Sequence, residues 1–182
     1  HGHHRRQRQM CIRDRADEIG YPVIIKAAAG GGGIGMQIVD EESQFASALK
    51  LCMSRAKSAF GDERVFVEKY IQGAQHVEFQ VLADGKNAIH FGERFCSIQR
   101  RHQKLVEEGP WLSDEKREEI GALVCKGAES VGYKGLATFE FLRDANGDFY
   151  FLEVNPRVQV EHTVTELITG YNLVELLSLI HI

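Results

Sequence analysis

With 182 residues, 43% of them hydrophobic and 26% charged, the chain is long enough to bury one sizeable core without disulfide or metal staples. Its net charge of −4 argues against a nucleic-acid-binding protein, and no apolar run approaches the roughly 20 residues that span a bilayer. Cys11, Cys52, Cys96 and Cys125 stand far apart with no C-x-x-C pattern. Neither a zinc site nor a disulfide framework is signalled, and a reducing internal compartment is the expected setting.

In chain order, the first element predicted is a strand over residues 21–27, followed by a glycine loop and a second strand over 34–39. Gly30, Gly32 and Gly35 satisfy G-x-G-x-x-G formally, but a dinucleotide fold needs a helix opening at the last glycine. Met36-Gln-Ile-Val39 alternates instead, and no Gly-Lys-Ser/Thr appears, so the loop reads as a lid between two strands with Lys26 on the strand entering it. Phe45, Ala48, Leu49, Cys52 and Met53 at helical spacing predict a helix from about Glu41 to Phe60, stopped by Gly61. Strands follow near 65–70, 76–83 and 88–94, the last two joined by the turn Asp84-Gly85-Lys86-Asn87. Residues 95–112 read as a polar loop, and Ser113 as the N-cap of a helix reaching about Val131. A hairpin over 135–154, turning at Asp144-Ala-Asn146-Gly147-Asp148, brings Glu140 beside Glu153 across two strands. A site strand and a helical tail complete an α+β fold with two sub-domains, a small one over 16–69 carrying the lid and a larger one over 70–176.

The site strand is the most informative segment. From Glu153 to Glu161, in Glu-Val-Asn-Pro-Arg-Val-Gln-Val-Glu, polar and apolar residues alternate at every step. In an extended chain, Glu153, Asn155, Arg157, Gln159 and Glu161 would share one ridge. Two carboxylates bracketing an arginine suit a metal and an anion better than an ordinary solvated strand face. Glu140 and Glu153 with Asn155 supply hard oxygen ligands of the kind Mg²⁺ takes beside substrate phosphates. Facing carboxylates would repel unless a cation joined them.

Lys26 with the glycine loop, Glu68-Lys69-Tyr70, His76-Val-Glu-Phe-Gln80, Glu93-Arg94, Cys96-Ser-Ile-Gln99-Arg-Arg-His102-Gln-Lys104, Thr138-Phe-Glu140 and the run from Glu153 to His162 together resemble the ATP-grasp core of biotin carboxylase. That is the ATP-dependent component of acetyl-CoA, propionyl-CoA and pyruvate carboxylases. The resemblance runs from about Ala16 to Leu176, and the Cys96–Lys104 and Arg157–His162 motifs are far more specific than any glycine loop. It implies an ATP-grasp fold with ATP in the cleft between the two sub-domains.

The resemblance also implies roles. Lys26, Gly32 and Gly33 would meet ATP phosphates, and Glu68, Lys69 and Ile71 would form the adenine-binding hinge. His76, Gln99 and His102 would contact the nucleotide. Glu140, Glu153 and Asn155 would hold Mg²⁺ or Mn²⁺, with the two glutamates also on the ATP side. Lys104, Arg157, Gln159 and Val160 would bind bicarbonate, and Glu161 would be the general base, acting with Arg157. Bicarbonate would attack the γ-phosphate to give carboxyphosphate, whose CO₂ carboxylates biotin. The implied partners are bicarbonate, a biotinylated carrier protein or domain, a carboxyltransferase component and a second copy in a homodimer, with neither nucleic acid nor membrane involved. The implied location is the cytoplasm, or the mitochondrial matrix in a eukaryote. A related ATP-grasp ligase such as a carbamoyl-phosphate synthetase domain would share the metal carboxylates and the asparagine but not the Cys96–Lys104 run. The remaining alternative is a non-catalytic nucleotide-binding fragment.

This sequence departs from the family pattern at two places within the matched core. Ile34 stands where a basic residue is usual, and Gly109-Pro110-Trp111 replaces an Ala-Pro pattern after Glu107-Glu108. The family's N-terminal domain and C-terminal segment are expected to lie outside this chain. Residues 1–15 and 177–182 follow no family pattern. Met10-Cys-Ile-Arg-Asp-Arg15 can be encoded by ATG TGT ATA AGA GAC AGN, and the reverse complement of its first seventeen bases reads Leu-Ser-Leu-Ile-His, as in the tail. Both ends are therefore expected to be translated sequencing adapter flanking a fragment, which other codons at those positions would exclude.

Overall fold

The computed structural model describes residues 2–29, 35–100 and 103–181. Gly32, Gly33, Ile34 and His102 lie outside the described residues. The chain forms two compact units, residues 1–72 and 73–182.

In the first unit, helix α1 (Gly2–Ile19) leads into strand β1 (Val23–Ala27). Strand β2 (Met36–Val39), helix α2 (Glu42–Phe60) and strand β3 (Val65–Lys69) follow. The sheet order is β2-β1-β3, with both pairings antiparallel. Alternation in β1 buries Val23, Ile25 and Ala27 on one face, where they meet Phe45, Ala48, Leu49, Cys52 and Ala56 of α2. That apolar stripe is the one the helical spacing predicts. Helix α2 ends at Gly61, whose positive φ of 74° lets its N–H return to the Lys57 carbonyl. Helix α1 crosses much of the adapter-like segment, and among its described side chains Ala16, Ile12 and Ile19 join this core.

The second unit is built on a five-stranded antiparallel sheet. Its strands are β4 (Gln75–Asp84), β5 (Ala88–Arg100), β6 (Gln103–Glu108), β7 (Lys134–Arg143) and β8 (Phe149–Asn155), in the order β6-β5-β4-β7-β8. Helix α3 (Asp114–Ser130) precedes β7, and helices α4 (His162–Thr169) and α5 (Leu173–Leu179) close the chain. Strand β4 sits at the centre, and its two faces differ in chemistry. Val77, Phe79, Val81 and Ala83 pack on Ile120, Val124 and Ala128 of α3. The alternate residues His76, Glu78 and Gln80 are polar, and Leu82 on the same face joins Leu136 and Leu173. The sheet therefore carries an apolar core on one side and a charged site on the other. Among the described residues, no helix is long and apolar enough to cross a membrane.

Two expectations need correction. Residues 95–112 are not a loop: β5 continues to Arg100, and β6 returns beside it, with Gln99 opposite Lys104 and Ile98 opposite Val106. The site strand also stops early. β8 ends at Asn155, the Arg157 N–H closes a tight turn onto the Asn155 carbonyl at 2.9 Å, and α4 begins at His162. Pro156 has no N–H to add to the ladder, and the chain turns at this point rather than continuing the strand. Glu153, Asn155, Arg157, Gln159 and Glu161 consequently do not share one ridge. The Gly109-Pro110-Trp111 departure is accommodated locally. A Cβ on Gly109 would lie 2.8 Å from the Glu93 carbonyl oxygen, while Trp111 stacks on Phe95 with ring centroids 4.9 Å apart.

Candidate functional site

Register builds the site. Arg94 of β5 pairs with Glu78 of β4, Glu78 with Glu140 of β7, and Glu140 with Glu153 of β8. Directly paired residues of antiparallel strands face the same way, so one charged row crosses four strands. The hairpin expected to bring Glu140 beside Glu153 forms in that register. Its turn is held by Asp144, whose carboxylate accepts from the N–H groups of Asn146 and Asp148. One step along, Gln80, Thr138 and Asn155 make a second row.

A row with three carboxylates needs cations, and two side chains supply them. Arg94, fully buried, donates through Nε to Glu78 at 2.7 Å and through Nη1 to Gln80 and Thr165, both at 2.8 Å. Lys104, brought over the sheet by β6, contacts Glu78, Glu140 at 3.0 Å and Glu161 at 2.8 Å. The bend after Asn155 makes this possible, because it returns Glu161 to the sheet. Burial would lower the Lys104 ammonium, but Glu78, Glu161 and Glu140 outweigh it and hold its pKa well above the usual lysine range. For Glu161, burial works upward, and the Lys104 hydrogen bond prevails to leave the carboxyl below its ordinary value.

Glu140 is the hub. Asn155 donates to Oε1 at 2.9 Å, and His76 Nε2 approaches Oε2 at 2.7 Å. That approach is off-axis for a hydrogen bond and is a close polar contact. His76 Nδ1 lies 2.6 Å from the Gln99 amide nitrogen; with that amide donating, the proton of a neutral imidazole sits on Nε2, towards Glu140. Burial pushes Glu140 up, but His76 and Lys104 bring it down to about 2. The folded value lies below the unfolded one, so this ionised carboxylate contributes stability above about pH 4.5 that is lost as pH falls towards 2. Glu140→Gln lacks that stability, so its acid limb should be flatter and its acid unfolding, followed by circular dichroism, should begin at higher pH than in the wild type. Coinciding curves would show that Glu140 does not drive the transition.

The other expected residues divide clearly. Glu153 is exposed on the edge strand, in register with Glu140. Arg157 is exposed and donates to the Val158 carbonyl at 3.2 Å, and Val160 is exposed beside it. Gln159 is buried, with its side-chain oxygen unpartnered among the described residues. In the first unit, Lys26 forms an ion pair with Glu68 between neighbouring strands, and Lys69 donates to the carbonyls of Gly20 and Tyr21. Ile71 is half-buried just after β3. The donor set of Glu140, Glu153 and Asn155 fits a hard divalent cation: two carboxylates in register, with an amide one row away. Sequence reasoning gave no role to Glu78, Arg94 or Glu107. The first had a visible signal, because His76, Glu78 and Gln80 alternate on one strand face.

A small sheet with a glycine-bearing connection, and a larger antiparallel sheet with metal-type carboxylates at one end, define an ATP-grasp core. The chain belongs to the family described as Carbamoyl-phosphate synthase L chain, ATP binding domain, whose model matches residues 5–180. It is 56% identical to a pyruvate carboxylase component of Methanothermobacter thermautotrophicus, over 88% of this chain and 33% of that protein. It is 52% identical to biotin carboxylase of Allochromatium vinosum, over 88% of this chain and 36% of that protein. Among solved structures, it is similar to the biotin carboxylase domain dimer of Hydrogenobacter thermophilus 2-oxoglutarate carboxylase in complex with MgADP, ADP and bicarbonate. The TM-score is 0.86 and the identity 48%, covering 91% of this chain and 37% of that one. The chain thus spans about a third of the length of the curated relatives it matches.

Proposed function

We propose that this chain is the ATP- and bicarbonate-handling core of a biotin carboxylase. The observation that carries the reading is Lys104, a single ammonium joining Glu140 on the metal side to Glu161 on the base side. In this reading Glu140, Glu153 and Asn155 hold Mg²⁺, with Mn²⁺ as a substitute. When bound, the ion neutralises charge on the transferring phosphates.

The chain's own side chains do the rest. Lys26 offers a point charge to the phosphates, and Gly32 and Gly33 offer backbone N–H groups. Glu68, Lys69 and Ile71 take the adenine, while His76, Gln99 and His102 contact the nucleotide. Lys104 and the planar guanidinium of Arg157 orient bicarbonate, assisted by Gln159 and the backbone of Val160. Glu161 takes the bicarbonate proton as its oxygen attacks the γ-phosphorus, giving carboxyphosphate and ADP. Carboxyphosphate then breaks down to CO₂ and phosphate, the phosphate takes the N1 proton of biotin, and N1 forms its bond to the CO₂.

Relatives named as biotin carboxylase and as part of a pyruvate carboxylase support this reading over a carbamoyl-phosphate synthetase. A solved relative with MgADP and bicarbonate supports the ligand set, and its dimer supports a homodimer here. A biotinylated carrier and a carboxyltransferase complete the proposed partners.

Calorimetry on the purified chain tests the nucleotide half. Mg²⁺-dependent ATP binding should appear and weaken at least about ten-fold in Glu153→Gln, which removes both a ligand and a charge. Equal affinity in the variant would reduce Glu153 to a strand residue. Bicarbonate-dependent ATP cleavage by the longer enzyme carrying this core tests the other half.

A further inference from the structure

Glu107 is a titratable group beside the site that the mechanism does not use. It lies on β6, three residues beyond Lys104, and both of its carboxyl oxygens are enclosed with no hydrogen-bond partner among the described residues. One oxygen from each of Glu78, Glu107 and Glu161 falls within 4.8 Å of the others. Three carboxylates at that spacing cannot all be ionised without matching cations. Glu78 takes both Arg94 and Lys104, and Glu161 takes Lys104. No cation touches Glu107 among the described residues.

We propose that Glu107 is a positioning residue that stays neutral so that Glu161 remains ionised and Lys104 remains directed at it. The inference rests on the reading of Glu161 as the base. Ionised Glu107 would set a second negative charge beside Glu161 and compete for the Lys104 ammonium, loosening the contact that orients bicarbonate.

The groups facing Glu107 define where this happens. Glu78 comes from β4, Arg94 and Cys96 from β5, Lys104 from its own strand and Glu161 from the turn before α4. Burial, then Glu78, pushes the Glu107 carboxyl up to about 8, against the opposing pull of Lys104 and Arg94. Burial drives the Cys96 thiol far above its ordinary value, and Lys104 is held well above its own. Neither titrates near pH 8, so among these shifted groups the switch belongs to Glu107.

Two measurements test the proposal. In this chain labelled with carboxyl-¹³C glutamate, one glutamate resonance should titrate near pH 8 and vanish in Glu107→Gln. If no glutamate titrates above about pH 6 in the wild type, the proposal is overturned whether or not the variant folds. In the longer enzyme, bicarbonate-dependent ATP cleavage should fall about ten-fold between pH 7 and pH 9, and Glu107→Gln should abolish that fall while keeping the rate at pH 7. Equal loss at every pH would mean a structural role only, and an unchanged alkaline limb would also overturn the inference. Glu161→Gln separates the two readings. If that variant stays active, the base assignment fails; if it is inactive while the alkaline limb of Glu107→Gln is unchanged, only the inference about Glu107 fails.

Discussion

Replacing Glu161 with Gln in the longer enzyme is expected to cut bicarbonate-dependent ATP cleavage by about 10²–10⁴ while leaving ATP affinity near normal. The amide keeps the shape of the side chain and can still accept the Lys104 hydrogen bond, which is 2.8 Å long here, but it cannot take a proton. Glu161 is set back from the metal-type ligands by Lys104, which contacts both it and Glu140. Nucleotide binding should therefore survive. The same bond holds Glu161 below the ordinary carboxylate range, which keeps it ionised at neutral pH but makes it a weak base. Bicarbonate arriving at Lys104 would share that ammonium, and the carboxylate would regain basicity at the moment it is needed. Arg157→Ala, by contrast, should chiefly raise the bicarbonate KM, since among the described residues the exposed guanidinium is tied only to the Val158 carbonyl and is free to turn to an anion. Steady-state kinetics with varied bicarbonate separates the two. Loss of ATP binding in Glu161→Gln, with carboxylation intact at saturating ATP, would remove Glu161 from the role of base.

Much of the fold was legible because local chemistry and tertiary packing agree. The α2 stripe, its stop at Gly61, the Ser113 cap accepting from the Lys116 N–H, and the Glu140–Glu153 register all follow from spacing or from one turn residue. The failures share a different cause. Gln99, Arg100, Lys104 and Glu107 look like a solvated loop by composition, yet they lie on paired strands whose polar side chains include those turned to the charged site. A polar residue facing a buried polar partner carries the same sequence signal as one facing water. The ridge from Glu153 to Glu161 failed for a related reason. Alternation alone fits a strand, but Pro156 stops the ladder, and the resulting bend is what carries Glu161 to Lys104. Arg94 was the least legible of all, because nothing about an isolated arginine in the sequence announces complete burial.

That burial sets the largest expected stability effect. Arg94 is 0% exposed, and its guanidinium touches side chains from three elements: Glu78 and Gln80 of β4, Thr138 of β7 and Thr165 of α4. Glu78 is equally buried, so removing Arg94 strands a carboxylate that, among the described residues, only Lys104 can partly match. Breaking one side of such a pair costs about 3–5 kcal/mol, more than most single substitutions. Arg94→Met, which retains much of the side-chain volume, should lower the unfolding free energy of the second unit, read from urea titration, by that order. Replacing both partners should cost less than the sum, because Glu78→Gln removes the charge that Arg94→Met leaves unpaired. Urea unfolding of the two single variants and the double variant gives the coupling directly. A change below about 1 kcal/mol in Arg94→Met, or strict additivity in the cycle, would mean that water or Lys104 satisfies Glu78 without Arg94. The Thr165 contact adds a functional consequence. It ties α4 to the sheet four residues after Glu161, so Arg94→Met should also lower bicarbonate-dependent ATP cleavage under conditions where the variant remains folded. Arg94→Lys, which keeps the charge but not the fork, should recover part of the stability and less of the rate, because a single ammonium cannot reach Glu78, Gln80 and Thr165 in the same geometry.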